Sequence, residues 1–103
     1  MAYTFNKQDI LDRIEEIKPN QYDIKYSVST ELREDLDMLI EQDIGTEGFA
    51  ILYDCNETEE NGTITGYITL VFSEDVNTED KEDYLFKCAS QFDMLSKGEP
   101  LSA

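Results

Sequence analysis

Carboxylates supply nearly all the chemistry this chain can offer. Its 103 residues hold 24 Asp and Glu against 8 Lys and Arg and no histidine, for a formal net charge of −16 at pH 7. Glu34, Asp37 and Glu41 recur at helical spacing, so on a helix they form a row with steps of about 4.5–6 Å. Phosphates along one DNA strand rise by about 3.4 Å each. A rigid row of carboxylates can therefore satisfy lysines and arginines set out for a phosphate backbone. Glu57, Glu59 and Glu60 form a second cluster. Glu74 and Asp75, followed by Glu79, Asp80, Glu82 and Asp83, form a third. For Glu31, Glu79 and Asp80 a helix dipole is explanation enough, because acids are favoured in the first turn.

The missing residues are as informative. Without histidine the commonest general base, the Ser-His and Cys-His pairs and most zinc sites are gone. The glycines fall at turns or inside a hairpin, not in a phosphate loop. Close carboxylate pairs arise by chance in so acidic a chain. The residues thus favour a binding protein over an enzyme, with no catalytic residue and no cofactor. Glu57, Glu59, Asn61, Gly62 and Ile64 match part of a calcium loop. Ile68 stands where the bidentate Glu should be, and the flanks read as strands, so no metal is expected. Cys55 and Cys88 lie 33 residues apart without a CxxC, and both are read as reduced core thiols.

These residues need elements to position them. Asn6 can cap a first helix, with Ile10, Leu11, Ile14 and Ile17 at helical spacing and Pro19-Asn20 as its end. Tyr22, Ile24, Tyr26 and Val28 alternate with polar residues as a half-buried strand. Ser29 or Thr30 can cap a second helix running to about Asp43, with Leu32, Leu36, Leu39 and Ile40 as its apolar stripe and Gly45 just past its end. Asn61-Gly62 is the preferred sequence of a two-residue type I′ hairpin turn. That register sets Ile51 opposite Phe72, Tyr53 opposite Leu70 and Cys55 opposite Ile68. Tyr67 falls on the other face, with Leu52 and Val71. Asn77 opens a last helix with Leu85, Cys88, Phe92 and Leu95 inward, ended by Gly98 and Pro100. The expectation is one α+β domain over residues 1–103. Its small, mostly antiparallel sheet, in α-β-α-β-β-α order, has helices on one face.

The charge is uneven. Residues 31–60 carry 11 acids and the single base Arg33, whereas residues 1–30 carry 5 acids and 4 bases. A merely solvated surface needs no such concentration. A halophilic chain would be acidic throughout and poor in lysine, whereas six of the eight bases here are lysine. No stretch reads as a signal peptide or membrane span, so a soluble cytoplasmic protein is expected.

The acidic composition resembles that of small phage-encoded inhibitors of the anti-CRISPR and anti-restriction DNA-mimic type. The opening Gln8-Asp9-Ile10-Leu11-Asp12-Arg13-Ile14, followed by a Tyr-rich strand, is similar to the start of one anti-CRISPR family that blocks an RNA-guided nuclease. The likeness ends where a long second helix intervenes before the hairpin. The resemblance implies a class of mechanism, occupation of a basic nucleic-acid-binding surface on a host defence nuclease, and no residue roles. In that case the location is a bacterial cytoplasm. The expected partner is a basic protein, a nucleic-acid-binding nuclease or its complex, with no direct binding to nucleic acid or membrane. A homodimer would join two acidic surfaces in one object. The partner-binding residues are then Glu34, Asp37, Glu41, Glu57, Glu59, Glu60, Glu74, Asp75 and Tyr67. An immunity protein against a nuclease toxin would use the same charges. A non-inhibitory adaptor would use the Tyr67 face instead.

Overall fold

Asn6 starts the first described element. Its side chain accepts from the N–H groups of Gln8 and Asp9, and the helix α1 runs Lys7–Leu11. The structure is a computed structural model that describes residues 6–99. After α1 come β1 (Ile14–Lys18) and β2 (Gln21–Ser29), then α2 (Arg33–Met38), β3 (Ala50–Glu60), β4 (Thr63–Phe72) and α3 (Thr78–Ser96). A 3-10 turn, Thr30–Leu32, leads into α2, and a π turn, Leu39–Asp43, extends it.

The α+β class and the antiparallel sheet are as expected, but the element order gains a strand. Ile14 and Ile17 do not continue the first helix; they lie in β1, which pairs with β2 through Ile14↔Ile24. The reason is the turn. Pro19-Asn20 joins two strands, with Asn20 at φ 69°, which is the Pro-then-positive-φ pattern of a type II turn. Only Ile14 then packs against the core, and Ile17 is left exposed.

The sheet order is β1-β2-β4-β3, antiparallel throughout. Ile24, Tyr26 and Val28 of β2 and Ile64, Ile68, Leu70 and Phe72 of β4 are buried on the helix-covered face. Leu36 and Leu39 of the second helical segment and Leu85, Cys88, Phe92 and Leu95 of α3 close the core from above. Each such large apolar side chain contributes about 1.5–3 kcal/mol by leaving water. Tyr26 stacks on Phe92 with ring centroids 4.8 Å apart. Phe49, Phe72 and Tyr84 make a second aromatic group with centroids 5.3–6.3 Å apart. Arg13 ties the first hairpin to α3: its guanidinium lies 3.0 Å from the buried Asp93 carboxylate, which also meets Lys97 at 3.0 Å.

The hairpin turn forms as its sequence dictates, with Asn61 at φ 53° and Gly62 at φ 77°. Cys55↔Ile68 pairs as expected, but a bulge between Leu52 and Asp54 shifts the rest, giving Leu52↔Leu70 and Ala50↔Phe72. The extra residue reverses which side chains point inward. Ala50 and Leu52 therefore pack against the core, while Ile51 and Tyr53 are 58% and 67% exposed. Leu52 consequently does not share the Tyr67 face; Ile51, paired with Val71, does. Cys55 is exposed and only Cys88 is buried, so the core-thiol reading holds for one of the two free cysteines. Pro100 lies outside the described residues.

Candidate acidic partner-binding site

The second helix begins where Ser29 accepts from the Glu31 N–H and where Leu36 and Leu39 bury one side. The opposite side must then carry Glu34 and Glu41, both exposed, and Asp37, half-buried. The row bends at its end. Ile44 donates its N–H to the Leu39 carbonyl at 3.0 Å, an i→i+5 bond that widens the last turn. Among the described residues no cation pairs with Glu34 or Glu41.

Strand alternation sorts the hairpin acids. Glu57 and Glu59 pair with Gly66 and Ile64 and share the helix-covered side; Glu60, paired with Thr63, takes the other. Arg33 at the start of α2 then reaches across. Its Nη1 donates to Glu57 Oε1 at 2.7 Å and to Asp37 Oδ1 at 3.1 Å, and its Nη2 lies 3.6 Å from Glu59. The helix row and the hairpin cluster thus meet around one guanidinium. Ten acids (Glu31, Glu34, Asp35, Asp37, Glu41, Asp43, Asp54, Glu57, Glu59 and Glu60) lie on the second helical segment with its flanking turns and on β3, with Arg33 as the only base.

Glu57 is the best-held carboxylate of the group. The Tyr26 hydroxyl donates to its Oε2 at 2.7 Å and also lies 3.6 Å from Cys55 Sγ. Burial pushes the Glu57 pKa up, but the hydrogen bonds from Tyr26 and Arg33 and the Arg33 charge outweigh it, leaving the carboxyl below its ordinary value. The same contacts raise Arg33, chiefly through its bond to Glu57. Burial, then the bond to Glu57, raises the Tyr26 phenol well above its usual range. Strand β3 comes this close because residue 66 is glycine. A Cβ there would run into the Asn56 carbonyl oxygen and lie 2.7 Å from Glu57 Cα.

The other expected residues are elsewhere. Glu74 and Asp75 follow the far end of β4. Ten residues at about 3.3 Å each put them roughly 30 Å from the hairpin turn. Tyr67 is on the opposite face of the sheet, its hydroxyl 3.3 Å from Asn56 Nδ2. The hub role of Arg33 and the supporting role of Tyr26 are new. The isolation of Arg33 among acids is the signal that could have marked it, and Tyr26 carries none beyond its place in a strand. The calcium-loop match lies on this hairpin, and among the described residues no group of three or more Cys, Asp or Glu is placed to hold a metal ion. No described helix is long and apolar enough to cross a membrane. Comparison with family models, curated proteins and solved structures gives no match.

Proposed function

We propose that this protein is an acidic inhibitor that occupies a basic nucleic-acid-binding surface of another protein, of the kind found on defence nucleases. The observation that carries the reading is the meeting of the helix row and the hairpin acids around Arg33, which bridges Asp37 and Glu57 at 3.1 and 2.7 Å. One guanidinium holds three carboxylates in place without neutralising the group. Fixed, close-set negative charge is what a groove built for phosphates recognises. Such binding is steered by long-range attraction and weakens with salt. The charges of Glu74, Asp75 and the α3 start then add to steering and not to the contact.

The test is retention of host proteins on the tagged chain at low salt, with and without excess duplex DNA. A retained basic nuclease that DNA displaces supports the reading. Neutralising Glu34, Asp37 and Glu41 together, or Glu57, Glu59 and Glu60 together, should weaken that retention about tenfold or more. A partner held regardless of DNA and of both triple variants refutes it. One observation favours an adaptor role as the second reading: Ile51, Val71 and Tyr67 share the sheet face away from the helices. Substituting Tyr67 and Ile51 would then release the partner while the acidic triples would not.

A further inference from the structure

We propose that β3 is a docking edge, and that the basic partner adds an extended strand of its own to the sheet alongside residues 56–60. The inference rests on the reading that the partner is basic and adds the mode of contact. β3 is a terminal strand of the β1-β2-β4-β3 sheet, and no other described strand pairs with its outer side. A row of unpaired backbone donors and acceptors is a template for another chain. The bulge at Tyr53 kinks the strand, and the Cys55 N–H is taken by Asp54 Oδ1 at 2.9 Å. The regular stretch therefore begins at Asn56. Beyond it, a partner strand would run past Tyr53 and Ile51, the two most exposed large apolar side chains among the described residues.

Charge decides the occupant. β3 carries Asp54, Glu57, Glu59 and Glu60 and no base. A second copy pairing edge to edge would bring eight carboxylates to one ladder, and like charges set opposite each other oppose pairing. A strand alternating lysine or arginine with apolar residues turns its bases to one face, where they meet Glu57 and Glu59, which point to one side of β3 while Glu60 points to the other. The acids that guard this edge against another copy thus select a basic strand.

The test uses the intact protein and a short peptide alternating lysine and valine. Three forms are compared: unmodified, and N-methylated at every other residue in each of the two phases. A docked strand uses one edge only, so one phase should abolish binding while the other preserves it. Amide hydrogen exchange of β3 should slow with the forms that bind. The double variant Ile51→Ala with Tyr53→Ala, both exposed in the fold, should weaken the peptide about tenfold. If the unmodified peptide does not bind, or both methylated forms bind alike, strand addition is overturned. A dimer whose β3 amides are protected without peptide also overturns it. None of these results decides the DNA competition described above, which fails or succeeds on its own.

Discussion

Tyr26 does two jobs with one side chain: its ring stacks on Phe92 at 4.8 Å, and its hydroxyl reaches Glu57 at 2.7 Å. Tyr26→Phe keeps the first and removes the second, so at neutral pH it should cost about 1–1.5 kcal/mol in urea unfolding. The pH dependence has a definite sign. The folded Glu57 lies below its ordinary 4.5, so its ionised form contributes stability above that value and loses it as pH falls through the folded pKa. The gap between wild type and Tyr26→Phe should therefore shrink as pH falls from 4.5 through the lowered folded value; an unchanged gap would place the effect in packing alone. Asp93 is a harsher case. Its side chain is 1% exposed and meets both Arg13 and Lys97, so Asp93→Ala, which leaves Arg13 without that partner, should cost about 3–5 kcal/mol. The cysteines separate cleanly. Cys88 is buried and its thiol is pushed up to about 11, chiefly by that burial, whereas Cys55 is exposed, its thiol raised as well by partial desolvation. A thiol reagent at pH 8 should modify Cys55 in the native protein and Cys88 only after unfolding.

Helix caps and the hairpin turn were legible in the sequence because each is a local bond between neighbours: Asn6, Ser29 and Asn77 all cap as their positions suggest. What escaped was decided at a distance. Ile10, Ile14 and Ile17 fit a helix, yet β1 forms because Pro19-Asn20 turns the chain back and β2 offers a ladder. The bulge at Tyr53 has no local signature either. It reconciles the Asn61-Gly62 register at one end of β3 with the burial of Ala50 and Leu52 at the other. Of the candidate residues, the helix row and the hairpin acids could be named from spacing, but their convergence on Arg33 depends on how α2 lies across the sheet. That convergence rests on Gly66. Gly66→Ala would force β3 away at Asn56 and Glu57, and overpacking of this kind should cost about 1–3 kcal/mol. Gly62→Ala meets nothing within 4 Å and keeps only the strain of φ +77°, about 1 kcal/mol. Both are read by urea unfolding, and only Gly66→Ala should also shift the Glu57 and Arg33 side-chain resonances. Equal effects on both would show that the close β3–β4 approach is not what holds the acids.

At the scale of the whole molecule the charge density is the property a partner meets first. The protein spans 39 × 27 × 22 Å and carries −16. A DNA duplex 39 Å long holds about 23 phosphates at one per ~1.7 Å, so the protein carries about 70% of that linear charge density. The composition alone showed this total; the folded dimensions turn it into a density. Such charge opposes the compact state through self-repulsion. At about 0.01 M salt the Debye length is about 30 Å, comparable to the molecule, and every carboxylate feels most of the others; at about 0.1 M it is about 10 Å and only neighbours interact. Salt also weakens the attractions of Arg33 and Asp93, but acids outnumber bases three to one, so screening of repulsion should win. The melting temperature should climb by several degrees between about 0.01 and 0.3 M sodium chloride. Choline chloride should give the same rise, because screening does not distinguish cations. A melting temperature that falls with salt would show that the few ion pairs outweigh the net repulsion. A rise specific to sodium would instead show a cation held at a definite site.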